Sequence, residues 1–176
     1  MALLKIFKYP DPILRQKAEP VTIFDEELKK LVADMAETMY AAPGVGLAAN
    51  QIGIARQIVV IDITGSDAEE KELITLINPK ISNGEGSEVD EEGCLSVVDY
   101  TAKVKRFTKI TVEAQDIDGN PLNFEAEDFF ARVIQHEVDH LHGHLFIDWI
   151  SSLKRSLYKK KRKKQLLAEQ QEKASA

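Results

Sequence analysis

The chain is nearly devoid of cysteine: Cys94 is the single one among 176 residues. No intramolecular disulfide can form, and nothing calls for an oxidising compartment. Long apolar runs are also missing, every stretch being far shorter than the ~20 residues a bilayer-spanning helix needs. The opening MALLKIFKYPDP has no basic leader and reaches Pro10 early, which predicts no signal peptide. A global excess of positive charge is absent too, the formal net charge being -6. These absences argue against a secreted disulfide scaffold and a membrane protein, and they make the cytoplasm the expected location. Histidine is scarce as well, and all four lie between His136 and His144.

What is present is a globular composition, 44% hydrophobic and 30% charged, enough for one full core with a short appendage. The charge is unevenly divided. Residues 1–153 hold 14 Lys and Arg against 27 Asp and Glu, whereas residues 154–176 hold 9 against 2. Eight of those cations fall between Lys154 and Lys164, in KRSLYKKKRKK. An acidic body with a basic end predicts that the end, not the body, meets a polyanion, although a solvated helix face explains the same run. The expected division is a domain over 1–150 and a basic helical tail over 151–176.

Segment 25–41 places Leu28, Leu31, Val32, Met35 and Met39 at helical spacing behind Asp25 as N-cap. GVGLAANQIG reads as a Gly-rich turn and RQIVVIDI as a buried strand. ELITLINPKI and VKRFTKITVEAQD read as further strands, and Asp118-Gly119 marks a turn. EDFFARVIQHEVDHLHG starts acidic, keeps Phe130, Val133, Ile134 and Leu141 apolar and ends at Gly143, the signature of a helix. From Ser151 to about Gln171 a weak stripe runs through Leu153, Leu157 and Leu166. The expected fold is α+β. Mostly antiparallel strands pack around a central helix carrying the histidines, with an N-terminal helix and a basic C-terminal helix.

His136-Glu137-Val138-Asp139-His140 has the pattern H-E-x-x-H. In a helix its two imidazoles lie about 40° apart, one turn from each other, so both reach one metal ion. Glu137 is rotated by about 100°, poorly placed to ligate but well placed to touch a water beside the ion. A pair of core or surface histidines and a closed structural zinc site are the competing readings; the second leaves Glu137 without a role. His142 and His144 lie past the helix end and read as surface residues. Two histidines leave the ion under-coordinated. By spacing alone the third ligand is open between Cys94 and one of 29 carboxylates, and a lone thiol serves equally well as a small core residue.

Three segments together, GVGLAANQ (44–51), EGCLS (92–96) and QHEVDHLHG (135–143), resemble the signature motifs of the peptide deformylases in order and spacing. The likeness runs from LKIFKYPDP to LFIDWIS and leaves only the tail outside. It implies a hydrolase that removes the formyl group from the formyl-methionine of newly made bacterial proteins. It also implies Cys94, His136 and His140 as metal ligands, with Fe(II) the expected ion and zinc, nickel or cobalt as substitutes. Glu137 is implied as general base and acid, and Gln51 with the Leu95 N–H as donors to the developing oxyanion. Gly44, Val45 and Gly46 are implied as the loop that the substrate approaches, where a Cβ at either glycine would intrude.

Asp139 is read as a supporting residue, with Arg106 as its partner. Members of the family often follow EGCLS with Pro two residues after the Ser and with a peptide-gripping Arg five after it. Here Val98 and Thr101 stand at those places, with Tyr100, Lys103 and Lys105 as candidate replacements. The competing functions are a metalloprotease built on the same helix and a metal-stabilised ribosome- or RNA-binding module supported by the tail. The tail over 154–164 suits docking on the ribosome, and its removal is expected to leave turnover of short peptides intact.

Overall fold

A computed structural model describes residues 2–65 and 67–175. Among the described residues seven strands form two antiparallel sheets. The larger has the order β1 (Gly46–Ala48), β2 (Ile58–Ile61), β3 (Ile74–Glu85), β6 (Lys109–Gln115), β7 (Pro121–Glu127); the smaller is the hairpin β4 (Glu88–Cys94) and β5 (Val97–Arg106). The Gly-rich segment expected to be a turn is β1 followed by a 3-10 turn over Ala49–Ile52. VKRFTKITVEAQD divides between β5 and β6 at Phe107 and Thr108.

The sheet lies between two helices. α1 (Glu26–Ala41) is capped by Asp25, whose side chain accepts from Leu28 N–H, and it buries Leu28, Val32, Met35 and Met39 against Ile58, Val60 and Ile77. α2 (Asp128–Leu141) covers the other face with Ala131, Ile134, Val138 and Leu141 against Val59, Ile61, Leu76 and Val112. The four residues of β2 alternate between these cores, because successive side chains of a strand point to opposite faces. The turn that follows α2 holds Gly143, which is left-handed (φ 78°) and so close to the chain that a Cβ would lie 2.5 Å from Arg15 O. That combination admits glycine alone.

A third cluster beneath the hairpin joins Leu14, Val97, Val104, Phe146 and Tyr158. The last of these comes from α3 (Ser152–Ser175), which extends past the expected end near Gln171. Its inner face also differs from the expected leucine stripe. Leu153 and Leu157 are 69% and 59% exposed, whereas Tyr158 and Arg162 are buried. Among the described residues no helix is long and apolar enough to cross a membrane.

Candidate metal centre

The polar side of α2 faces the hairpin, so His136, Glu137 and His140 look across a narrow gap at Cys94, the last residue of β4. Cys94 Sγ and one nitrogen each from His136 and His140 all lie within 4.8 Å of one another. His140 Nε2 stands 3.4 Å from the thiol. His136 Nδ1 meets Glu92 Oε1 at 2.9 Å, which fixes the ring and leaves Nε2 for the gap. One thiol and two imidazoles make a donor set suited to a divalent ion, with room for a fourth position. The polar balance beside the gap agrees, since Glu137 Oε2 is buried with no hydrogen-bond partner. His142 and His144 are exposed past the helix end, and His144 stands 3.7 Å from Asp148.

Glu92, unassigned in the sequence reading, organises the support. Arg106 grips it with Nε at 2.8 Å and Nη2 at 2.9 Å, and Arg132 Nη1 adds a contact of 2.7 Å. Burial alone would raise the Glu92 carboxyl, but the hydrogen bonds of Arg106 and His136 prevail and hold it at about 2. Arg106 reaches on to Asp139 Oδ2 at 2.6 Å, the expected partnership, and Trp149 Nε1 donates to the same oxygen at 2.9 Å. Its sequence signals were Glu92 inside the EGCLS motif and Arg132 one helical turn before His136, but charge alone gave neither a role.

Burial pushes the Glu137 carboxyl up to about 7, and the residue is 4% exposed. Gly46 makes room for it, since a Cβ there would lie 2.5 Å from Glu137 Oε1; a Cβ on Gly44 would lie 2.9 Å from Leu95 Cδ1. The bareness of the two glycines therefore serves the packing of Glu137 and Leu95. Burial depresses His140 well below the ordinary imidazole value, helped by the charges of His136 and Arg106. Burial acts on His136 in the same direction, but Cys94 and Glu92 outweigh it and hold that ring well above.

Gln51 divides its amide between two tasks. Its oxygen accepts from Ala48 N–H at 2.9 Å, which locks it to its own loop, while Nε2 donates to Ser96 Oγ at 3.1 Å and lies 3.6 Å from Cys94 Sγ. A cleft of about 510 Å³ opens over these groups, lined by Gly44, Val45, Gly46, Leu95, Val97, Phe129 and Val133 among others. Tyr100 lines it, whereas Lys105 lines a different cavity together with Arg106, and Lys103 lines neither. Thr101 donates to Glu91 Oε1 at 2.6 Å on the rim.

The model of the family described as polypeptide deformylase matches residues 3–156. The chain is 55% identical over 167 residues to a peptide deformylase of Desulfotalea psychrophila, covering 95% of this chain and 99% of that protein. Identity to the peptide deformylase of Acidobacterium capsulatum is 51% over 157 residues, covering 89% and 92%. Among solved structures, a peptide deformylase from Legionella pneumophila superposes with a TM-score of 0.87 at 44% identity, over 95% of this chain and 98% of the other. One from Synechococcus elongatus, in complex with actinonin, gives 0.85 at 39% identity, over 90% and 87%.

Proposed function

The chain belongs to the polypeptide deformylase family, and from that premise we propose that Cys94, His136 and His140 hold one divalent cation beside Glu137. The enzyme removes the N-formyl group from nascent polypeptides. The observation that carries the residue assignment is the convergence of one thiol and two imidazoles next to a buried carboxylate with an unpartnered oxygen. Resemblance supports Fe(II) as the cellular ion, with zinc, nickel and cobalt as substitutes, since softness and geometry admit all four.

When bound, the ion acidifies water and polarises the formyl oxygen. Glu137 takes the proton of the attacking water and passes it to the departing amine, acting first as base and then as acid. Its elevated affinity for a proton suits both halves of that exchange. The Gln51 amide, immobilised through its oxygen, and the Leu95 N–H donate to the oxygen of the formyl group as it turns negative. Glu92 accepts the Nδ1 proton of His136, which orients the ring and leaves the Nε2 lone pair toward the ion. The loop Gly44–Val45–Gly46 forms the edge along which the peptide lies, and the apolar lining at Leu95, Val97, Phe129 and Val133 suits a methionine side chain. Formate leaves, and the freed amine becomes the new N-terminus.

We assign residues 1–150 as the catalytic domain and 151–176 as its basic extension, and the cytoplasm, where chains are made, as the working compartment. Of the eight cations of 154–164, Lys154, Lys159, Lys160, Lys163 and Lys164 are exposed and are offered to ribosomal phosphates, an interaction that weakens with salt. The test is ion analysis of anaerobically purified protein together with formate release from a formyl-methionyl peptide. One ion per chain, lost in Cys94→Ala, is expected; an unchanged ion content in that variant would return Cys94 to the core.

A further inference from the structure

The hairpin that carries Cys94 has an irregularity beside the cleft. Cys94 pairs with Val97, but the preceding residue, Gly93, pairs with Thr101, so Val98, Asp99 and Tyr100 have no partners on β4 and form a bulge. Asp99 sits in the left-handed region at φ 52°, a conformation that a non-glycine residue keeps only where its surroundings hold it. Val98 leaves this backbone free of the fixed φ that a proline would impose. Asp99 and Tyr100 nevertheless line the cleft. Something outside the hairpin must hold them.

That support is α3. Lys161 Nζ donates to Asp99 O at 2.9 Å, and Gln165 Nε2 to Asp99 Oδ2 at 3.4 Å. Arg162, 5% exposed, donates from Nε to Tyr9 O at 2.8 Å, and Tyr9 N–H in turn donates to Ser96 O at 2.7 Å. The Tyr158 ring meets Tyr100 edge-on at 4.8 Å, Tyr100 stacks on Phe146 at 6.2 Å, and Phe146 stacks on His136 at 6.1 Å. One face of α3 thus touches the bulge at its backbone, its side chains and its flanking turn.

We propose that α3 is a positioning element of the cleft, in which Lys161, Arg162 and Gln165 hold the Val98–Tyr100 bulge in the shape that receives the peptide. The inference rests on the reading that this cleft takes the formyl peptide. It revises the expectation that the tail is dispensable on short substrates, and it separates the tail into an inner face that serves the cleft and an outer face left for polyanions. Positioning residues act on the substrate through the bulge, so their loss falls on KM while kcat, set at the ion and Glu137, holds.

The experiment uses full-length protein with its ion and a formyl-Met tripeptide. The double variant Lys161→Ala/Gln165→Ala changes two residues outside the core; it is expected to raise KM about three- to tenfold with kcat within about twofold of the parent. Arg162→Ala is expected to do the same and Arg162→Lys to restore part of the loss, while amide exchange at Val98–Tyr100 quickens in both alanine variants. If Arg162→Ala fails to fold, the double variant decides. An unchanged KM in a double variant of parental thermal stability, or a loss confined to kcat, overturns the proposal. No formate from the parent chain itself would overturn the reading of the cleft, and this inference with it.

Discussion

Helices α2 and α3 bear on the same cleft on opposite terms, the first as its wall and the second through the bulge. α2 has 14 residues and buries nine of them, among them Arg132, Gln135, Glu137 and His140, polar groups that a core accepts only when something answers them. α3 has 24 residues and buries two, Tyr158 and Arg162. The first helix carries the proposed chemistry, and nearly every turn of it is locked between the sheet and the hairpin. The second touches the body along one line, and that line ends on the least regular stretch of the cleft wall. The amount a helix buries and its bearing on a site are separate quantities.

The sharpest way to break the contrast is at Glu137. Glu137→Ala is expected to lower kcat by about 10²–10⁴ with the ion retained; near-normal formate release would remove the chemistry from α2. Next comes Glu92→Ala, which leaves Arg106 and Arg132 buried without their shared carboxylate. A loss of about 3–5 kcal/mol in denaturant stability is expected, with ion affinity reduced by about 10–100-fold in a metal titration. Arg106→Ala and Asp139→Asn should be non-additive by about 0.5–3 kcal/mol, since they share one contact; strict additivity would detach Asp139 from the network. The smallest effects belong to the outer face of α3. Leu153→Gln and Leu157→Gln should each change stability by no more than about 0.5 kcal/mol. A larger loss at either leucine would mean that the stripe read from sequence is buried after all.

The same contrast explains what could be read from sequence. α2 announces itself, with apolar residues at helical spacing, an acidic start, a terminal glycine and histidines four apart, all local properties. β2 was legible for the same reason. Cys94 was not, because a residue that meets the histidines from another strand leaves no periodicity, and only the resemblance carried by EGCLS gave it a role. Gln51 was legible only through the resemblance, since its oxygen is bonded to its own loop at Ala48 N–H while its amide faces the thiol. The inner face of α3 was misread because its anchors are a tyrosine and an arginine, residues that a search for leucines passes over. Phe107 and Thr108 divide two strands within a run that reads as continuous, because no Gly, Pro, Asn or Asp marks the break between Val104 and Val112.

Strand β2 gives Ile58 and Val60 to one core and Val59 and Ile61 to the other, so the sheet and its two helices are expected to melt as one cooperative unit. The hairpin belongs to a separate cluster and shares no strand with that sheet. Cys94 lies in the hairpin, and both imidazoles lie in the unit built on β2. An ion held by all three is thus a rivet between two parts of the protein with separate capacities to open. Chelation should release the hairpin's amides to solvent while those of β2 stay protected up to global unfolding.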